Sequence, residues 1–197
     1  MTLPILAYGH PVLRKKTDEI NANYPDLTWL LDSMWETMYN AHGVGLAAPQ
    51  IGLAIRLFIV DASPFADNPD LDDNEKEAIK NFKKVFINPE ITDYHGEMID
   101  FNEGCLSIPN IRGEVLREDK ITMTYYDANF NRHEIHLNGL ASRVVQHEYD
   151  HIEGKLFTDK LSSFKKKVLK SKLSQIEKGN IKVDYPMQFP VKNKSKF

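Results

Sequence analysis

The sequence predicts an α+β fold. It should have antiparallel β-sheets packed around a central helix, with a further helix near each end of the chain. Three observations lead there. Strand-like segments cluster in the middle of the chain, while the strongest helical periodicities lie before and after them. The regular strand–helix alternation of a parallel α/β sheet is missing. The 197 residues, 42% of them hydrophobic, suit one domain around a core of its own.

The first helix is expected from about Asp26 to Ala41. Leu27, Leu30, Leu31, Met34 and Met38 recur at helical spacing, and Gly43 follows as a stop. Ile55 to Val60 is a short apolar strand. Asp61 to Lys84, rich in Asp, Asn, Pro and Lys, reads as an exposed insertion carrying a short charged helix around Asn74 to Phe82. Val85 to Ile91, broken by Pro89, and Glu97 to Phe101 read as strands at an edge or bend. Lys120 to Tyr126 puts Ile121, Met123 and Tyr125 on one face. Phe130 to Leu137 does the same with Ile135 and Leu137, and the turn Asp127 to Asn129 makes them a hairpin. The third helix runs from Gly139 to Ile152, with Gly154 after it. The fourth starts near Ser162 or Ser163, either of which can cap it. Phe164, Val168, Leu169, Leu173 and Ile176 form its apolar stripe. Lys182 to Phe197 reads as an extended tail.

Composition narrows the function classes. A net charge of -3 argues against a globally basic nucleic-acid binder, so no DNA partner is expected. One cysteine forbids an intrachain disulfide and points to a reducing compartment. The stretch MTLPILAYGHPVLRKK does not read as a signal peptide, and no run reaches the ~20 apolar residues of a membrane span. A soluble, cytoplasmic monomer with no membrane partner is the expectation.

The strongest chemical signal is His147-Glu148-Tyr149-Asp150-His151, an HExxH motif. On a helix, positions i and i+4 share a face, so both imidazoles can reach one metal ion, with Glu148 beside them as a base. A surface helix with two chance histidines is the bland alternative, but Val144, Val145 and Ile152 mark this helix as partly buried. A catalytic zinc-type centre wants a third protein ligand. Phe157 stands where a metzincin has its third histidine, and Glu177 sits in a lysine-rich helix. Cys105, in Glu103-Gly104-Cys105-Leu106-Ser107, is the better candidate because thiolates bind divalent metals well, although a lone cysteine is more often a small buried hydrophobe. Gly43-Val44-Gly45-Leu46-Ala47-Ala48-Pro49-Gln50 is weak alone, since a helix cap and a tight turn explain its glycines. Its small side chains leave room for a ligand, and the Gln50 amide can donate to an oxyanion. An HExxH peptidase cutting internal bonds and a metal-stabilised binding module are the competing readings. An intact Glu148 argues against the second, because a structural site needs no base.

Together the three stretches resemble the motifs of peptide deformylases. GVGLAAPQ is similar to GxGxAAxQ, EGCLS matches in full, and QHEYDH (Gln146 to His151) matches QHExDH. The resemblance runs over about residues 3 to 160. Its departure is the 61–84 insertion, longer than in the shortest members. It implies removal of the formyl group from the N-terminal methionine of nascent chains. It implies Fe2+, with Zn2+ or Ni2+ able to substitute, held by Cys105, His147 and His151. Glu148 would be base and acid, with Gln50 and the Leu106 N–H serving the oxyanion. Val44, Leu140 and Val144 are expected to line a methionine pocket, Gly45 to form a tight wall beside Cys105, and Arg112 to lie near the peptide path. Glu103, Arg117 and Asp150 are expected to orient the ligands. His10, His42, His95, His133 and His136 read as ordinary loop, cap or strand residues. Seven lysines against Asp159 and Glu177 give residues 159–178 a charge near +5, and the resemblance suggests a ribosomal RNA contact there.

Overall fold

The computed structural model describes residues 1–69 and 71–190. Its centre is one five-stranded antiparallel sheet, in the order β2 (Gly45–Ala47), β3 (Leu57–Asp61), β4 (Lys83–Cys105), β5 (Ile108–Tyr126), β6 (Arg132–Leu137). A second pair, β1 (Ile5–Leu6) with β7 (Met187–Gln188), is parallel, not antiparallel as expected. Among the described residues the α-helices are α1 (Leu27–Asn40), α2 (Asp73–Lys80), α3 (Gly139–Ile152) and α4 (Ser163–Glu177).

Around β3 the sheet is covered on both faces. On β3, Phe58 and Val60 pack with Phe86, Met123 and Val145 on the α3 side. Leu57 and Ile59 pack with Met34, Met38 and Leu46 on the α1 side. A strand buried on both faces reads as a continuous apolar run, as Ile55 to Val60 does. A third core, with Ile108, Val115, Leu156, Phe157 and Ile176, lies beneath the β4–β5 hairpin and α4.

Several boundaries move. α1 ends in a Schellman motif: Gly43 N–H donates to the Met38 carbonyl, and His42 N–H to that of Tyr39. The left-handed residue is His42, at φ 54°, not Gly43. Gly43 is needed for another reason, since a β-carbon there would stand 2.7 Å from Leu106 Cδ1. The two short strands expected at Val85 to Ile91 and Glu97 to Phe101, which flank Gly96 and include Pro89, are one long strand, β4. Register shifts near both residues absorb them as bulges, so the ladder continues. β5 begins twelve residues before Lys120. Its first half alternates buried Ile111, Gly113, Val115 and Arg117 with exposed Asn110, Arg112, Glu114 and Leu116, and the buried arginine hides the period. Phe130, at φ 58°, belongs to the hairpin turn, not to β6.

The segment 61–84 is less exposed than its composition suggests: Asp61, Ile79 and Phe82 are buried. α2 starts with a capping box, Asp72 with Glu75. On α4, Ser162 is the cap and Ile176 is buried, but Phe164 and Val168 are 76% and 60% exposed. The expected docking stripe therefore narrows to Leu169, Leu173 and Ile176. The tail is not simply extended, because Met187 and Gln188 pair with β1; residues 191–197 of that prediction lie outside the described residues.

Candidate metal centre

α3 carries His147 and His151 on one face, and β4 ends at Cys105 directly opposite. The candidate ligand atoms of Cys105, His147 and His151 all lie within 4.8 Å of one another. Cys105 Sγ is 3.3 Å from His151 Nε2. His147 Nδ1 is 2.9 Å from Glu103 Oε2, which leaves Nε2 as the nitrogen available to an ion. A soft thiolate with two imidazoles is a donor set that suits divalent iron, zinc or nickel. The buried His151 Nδ1 has no hydrogen-bond partner among the described residues. Glu177, the alternative ligand, lies against Gly9 in a separate groove beside α4.

Behind the ligands is a buried charge network. Arg117 donates through Nε to Glu103 Oε1 at 2.7 Å and through Nη2 to Oε2 at 3.0 Å. Its Nη1 donates to Asp150 Oδ2 at 2.7 Å. Asp150 thus braces Arg117 rather than touching a ligand. Burial alone would raise the Glu103 carboxyl, but hydrogen bonds from His147 and Arg117 hold it far below the usual carboxylate range. Burial, with the charges of His147 and Arg117, pushes the His151 pKa well below its ordinary value. Burial also pulls on His147, but bonds to Cys105 and Glu103 outweigh it and raise its pKa.

Glu148 points the other way, into the cleft. Burial lifts its carboxyl to about 7, and Oε2 has no partner among the described residues. Gly45 packs directly against this carboxyl group. Gln50 is buried; its Oε1 accepts from Ala47 N–H at 2.8 Å, which aims Nε2 at Cys105 Sγ (3.6 Å) and Ser107 Oγ (3.3 Å). The cleft of about 700 Å³ is lined by Val44, Gly45, Arg112, Leu140 and Val144 together with Leu106. Arg112 donates to the Asn102 carbonyl at 2.7 Å, not to a carboxylate.

Four further residues escape the sequence reading. Arg143 donates to Glu103 Oε1 and to the Val115 and Ile99 carbonyls, and lies over the Phe101 ring. An arginine four residues before His147, on an apolar helix face, was a usable signal. Ser107 stands in the EGCLS motif but was given no role, and Phe65 and Tyr185 carried no signal. His42, read as an ordinary cap residue, also lines the cleft.

The polypeptide deformylase family profile matches residues 2–167. This chain belongs to the peptide deformylase family. It is 56% identical over 196 residues to the peptide deformylase of Christiangramia forsetii, covering 100% of both chains. It is 54% identical over 194 residues to that of Flavobacterium psychrophilum, covering 98% of this chain and 100% of the other. Among solved structures, the peptide deformylase of Legionella pneumophila superposes with a TM-score of 0.76 at 36% identity, covering 91% of this chain and 98% of that one. An inhibitor complex of Arabidopsis thaliana peptide deformylase 1B gives 0.76 at 34% identity, covering 90% and 92%. As a peptide deformylase, the chain is a metal-dependent hydrolase that removes the N-formyl group from nascent peptides.

Proposed function

We propose that Cys105, His147 and His151 hold an Fe2+ ion, with Zn2+ or Ni2+ able to substitute, and that Glu148 moves the proton in formate release. The observation that carries this reading is the convergence of the three donor atoms beside the Glu148 carboxyl at the wall of the cleft. When bound, the ion polarises the formyl carbonyl and lowers the pKa of water. Glu148 accepts a proton at its carboxylate and returns it to the departing amine nitrogen. Its place at the wall of the cleft beside His147 puts the carboxyl within the reacting space for both transfers. The Gln50 amide and the Leu106 N–H donate to the oxygen of the tetrahedral intermediate. Glu103 fixes the His147 ring, Arg117 fixes Glu103, and Asp150 fixes Arg117. Val44, Leu140 and Val144 receive the methionine side chain, and Arg112 flanks the peptide path. Gly45 serves by giving the Glu148 carboxyl its place against the backbone.

On this reading the enzyme works in the cytoplasm as a monomer and meets its substrates at the ribosome through the lysines of α4. Formate release from formyl-Met-Ala-Ser by the iron-loaded protein tests the activity. Internal cleavage of an unformylated peptide, without formate release, would overturn it.

A further inference from the structure

Cys105 and Ile108 face each other at the end of the β4–β5 hairpin, leaving Leu106 and Ser107 as a two-residue turn. Two-residue turns that match the twist of their strands use positive φ angles. Neither Leu106 nor Ser107 has one, and the ladder shifts register between Gly104 and Cys105. The local sequence does not choose this turn, so contacts from outside must hold it.

Three such contacts exist among the described residues. Tyr8 N–H donates to the Ser107 carbonyl at 2.8 Å. Gln50 Nε2 donates to Ser107 Oγ at 3.3 Å. The Tyr185 hydroxyl donates to the Leu106 carbonyl at 2.7 Å. The third partner comes from 79 residues along the chain, beyond the 2–167 span that the family profile covers, yet Tyr185 is a wall of the cleft. It is anchored itself: its ring is half-buried against the α1-side core, and Ile5 N–H donates to the next carbonyl, that of Pro186, at 2.9 Å.

We propose that Tyr185 is a positioning residue for deformylation, acting through the turn that carries the Leu106 N–H. β4 fixes the peptide plane before the Leu106 Cα, and the Tyr185 hydroxyl fixes the plane after it. A flip of the central peptide, the motion that separates type I from type II turns, would break the Tyr185 bond. With both planes held, the turn keeps one conformation, and the Leu106 N–H need not reorganise when charge develops on the formyl oxygen. This inference rests on the reading that the Leu106 N–H donates to that oxygen.

The test is Tyr185→Phe, which keeps the ring and removes the O–H. On formyl-Met-Ala-Ser we expect kcat to fall about tenfold, the scale of one hydrogen bond, with KM within about twofold of wild type. Metal content and melting temperature should be unchanged, and amide hydrogen exchange at Leu106 and Ser107 should speed up. Unchanged kcat, or slower turnover with unchanged exchange at those amides, overturns the proposal. So does a parallel loss of metal, which would make Tyr185 a support for the centre. If the wild type itself releases no formate, the functional reading fails first, and no positioning role in deformylation survives it.

Discussion

Gly45 lies against Glu148 so closely that a β-carbon on it would stand 2.7 Å from the carboxyl carbon and closer still to Oε1. The contact is with the end of a side chain, so the protein can yield without unfolding, but only by swinging the carboxylate away. Gly45→Ala should therefore fold and bind metal as wild type does while kcat falls on the order of 10²-fold. Metal analysis alongside steady-state kinetics checks this, and wild-type turnover would show that Glu148 needs no fixed position.

Removing the carboxylate is the complementary experiment. Glu148→Ala should retain stoichiometric metal and lose at least ~10²-fold in turnover, the scale of general acid–base assistance. Metal lost together with activity would mean that Glu148 helps to hold the ion.

Cys105→Ala should bind metal far more weakly, because two imidazoles alone make a poor site. Oxidation of the wild-type thiolate should inactivate the enzyme in the same way. If the variant keeps full metal and activity, a carboxylate must be the third ligand.

The β5–β6 turn offers a pH test away from the cleft. The Asp127 carboxylate accepts from His133, Asn129 and Asn131, and the His133 bond leads in holding its pKa down at about 2. A folded pKa below the unfolded value of about 3.9 contributes stability above that value and loses it as pH falls toward the folded one. Because Asp127 is partly exposed, the gain is small. Asp127→Ala should lower Tm by about 1–3 °C at pH 7, with the gap narrowing as the pH falls from about 4 toward about 2. A gap that stays constant down to pH 2.5 would contradict the linkage.

Charge reversal tests the α4 surface. Lys165, which pairs with Glu114, and Lys166, which donates to the Asp159 carbonyl, are partly engaged already. Converting Lys165, Lys166, Lys167 and Lys170 to Glu should abolish salt-sensitive co-sedimentation with ribosomes and leave turnover on a short formyl peptide unchanged. Binding that survives would remove the electrostatic argument.

The sequence made the candidate metal centre legible because each candidate ligand sits in a compact local pattern: i and i+4 on one helix, and a cysteine after a strand-like stretch. α3 is found with the boundaries its periodicity predicts. β4 and β5 were harder to read. Their bulges mimic strand ends, and Glu103 and Arg117, like Arg143 on α3, put charges in buried slots that pattern reading assigns to solvent. Those charges are tolerable only because they meet one another, which is a tertiary fact. Tyr185 was invisible for the same reason: its partner is a backbone carbonyl, and a carbonyl has no signature in the side-chain alphabet.

The pairing of Ile5 with Met187 joins strands about 180 residues apart in the chain. During synthesis at about 5–20 residues per second, β1 leaves the polymerising machinery roughly 10–35 s before β7 exists to receive it. Through that interval the Ile5 and Ala7 amides lack their acceptors at Pro186 and Gln188, and Leu106 lacks its hydroxyl donor. The fastening of the cleft is thus a late event in the life of each molecule. A freshly made copy acquires its closing contact only after nearly all of the described chain has been translated.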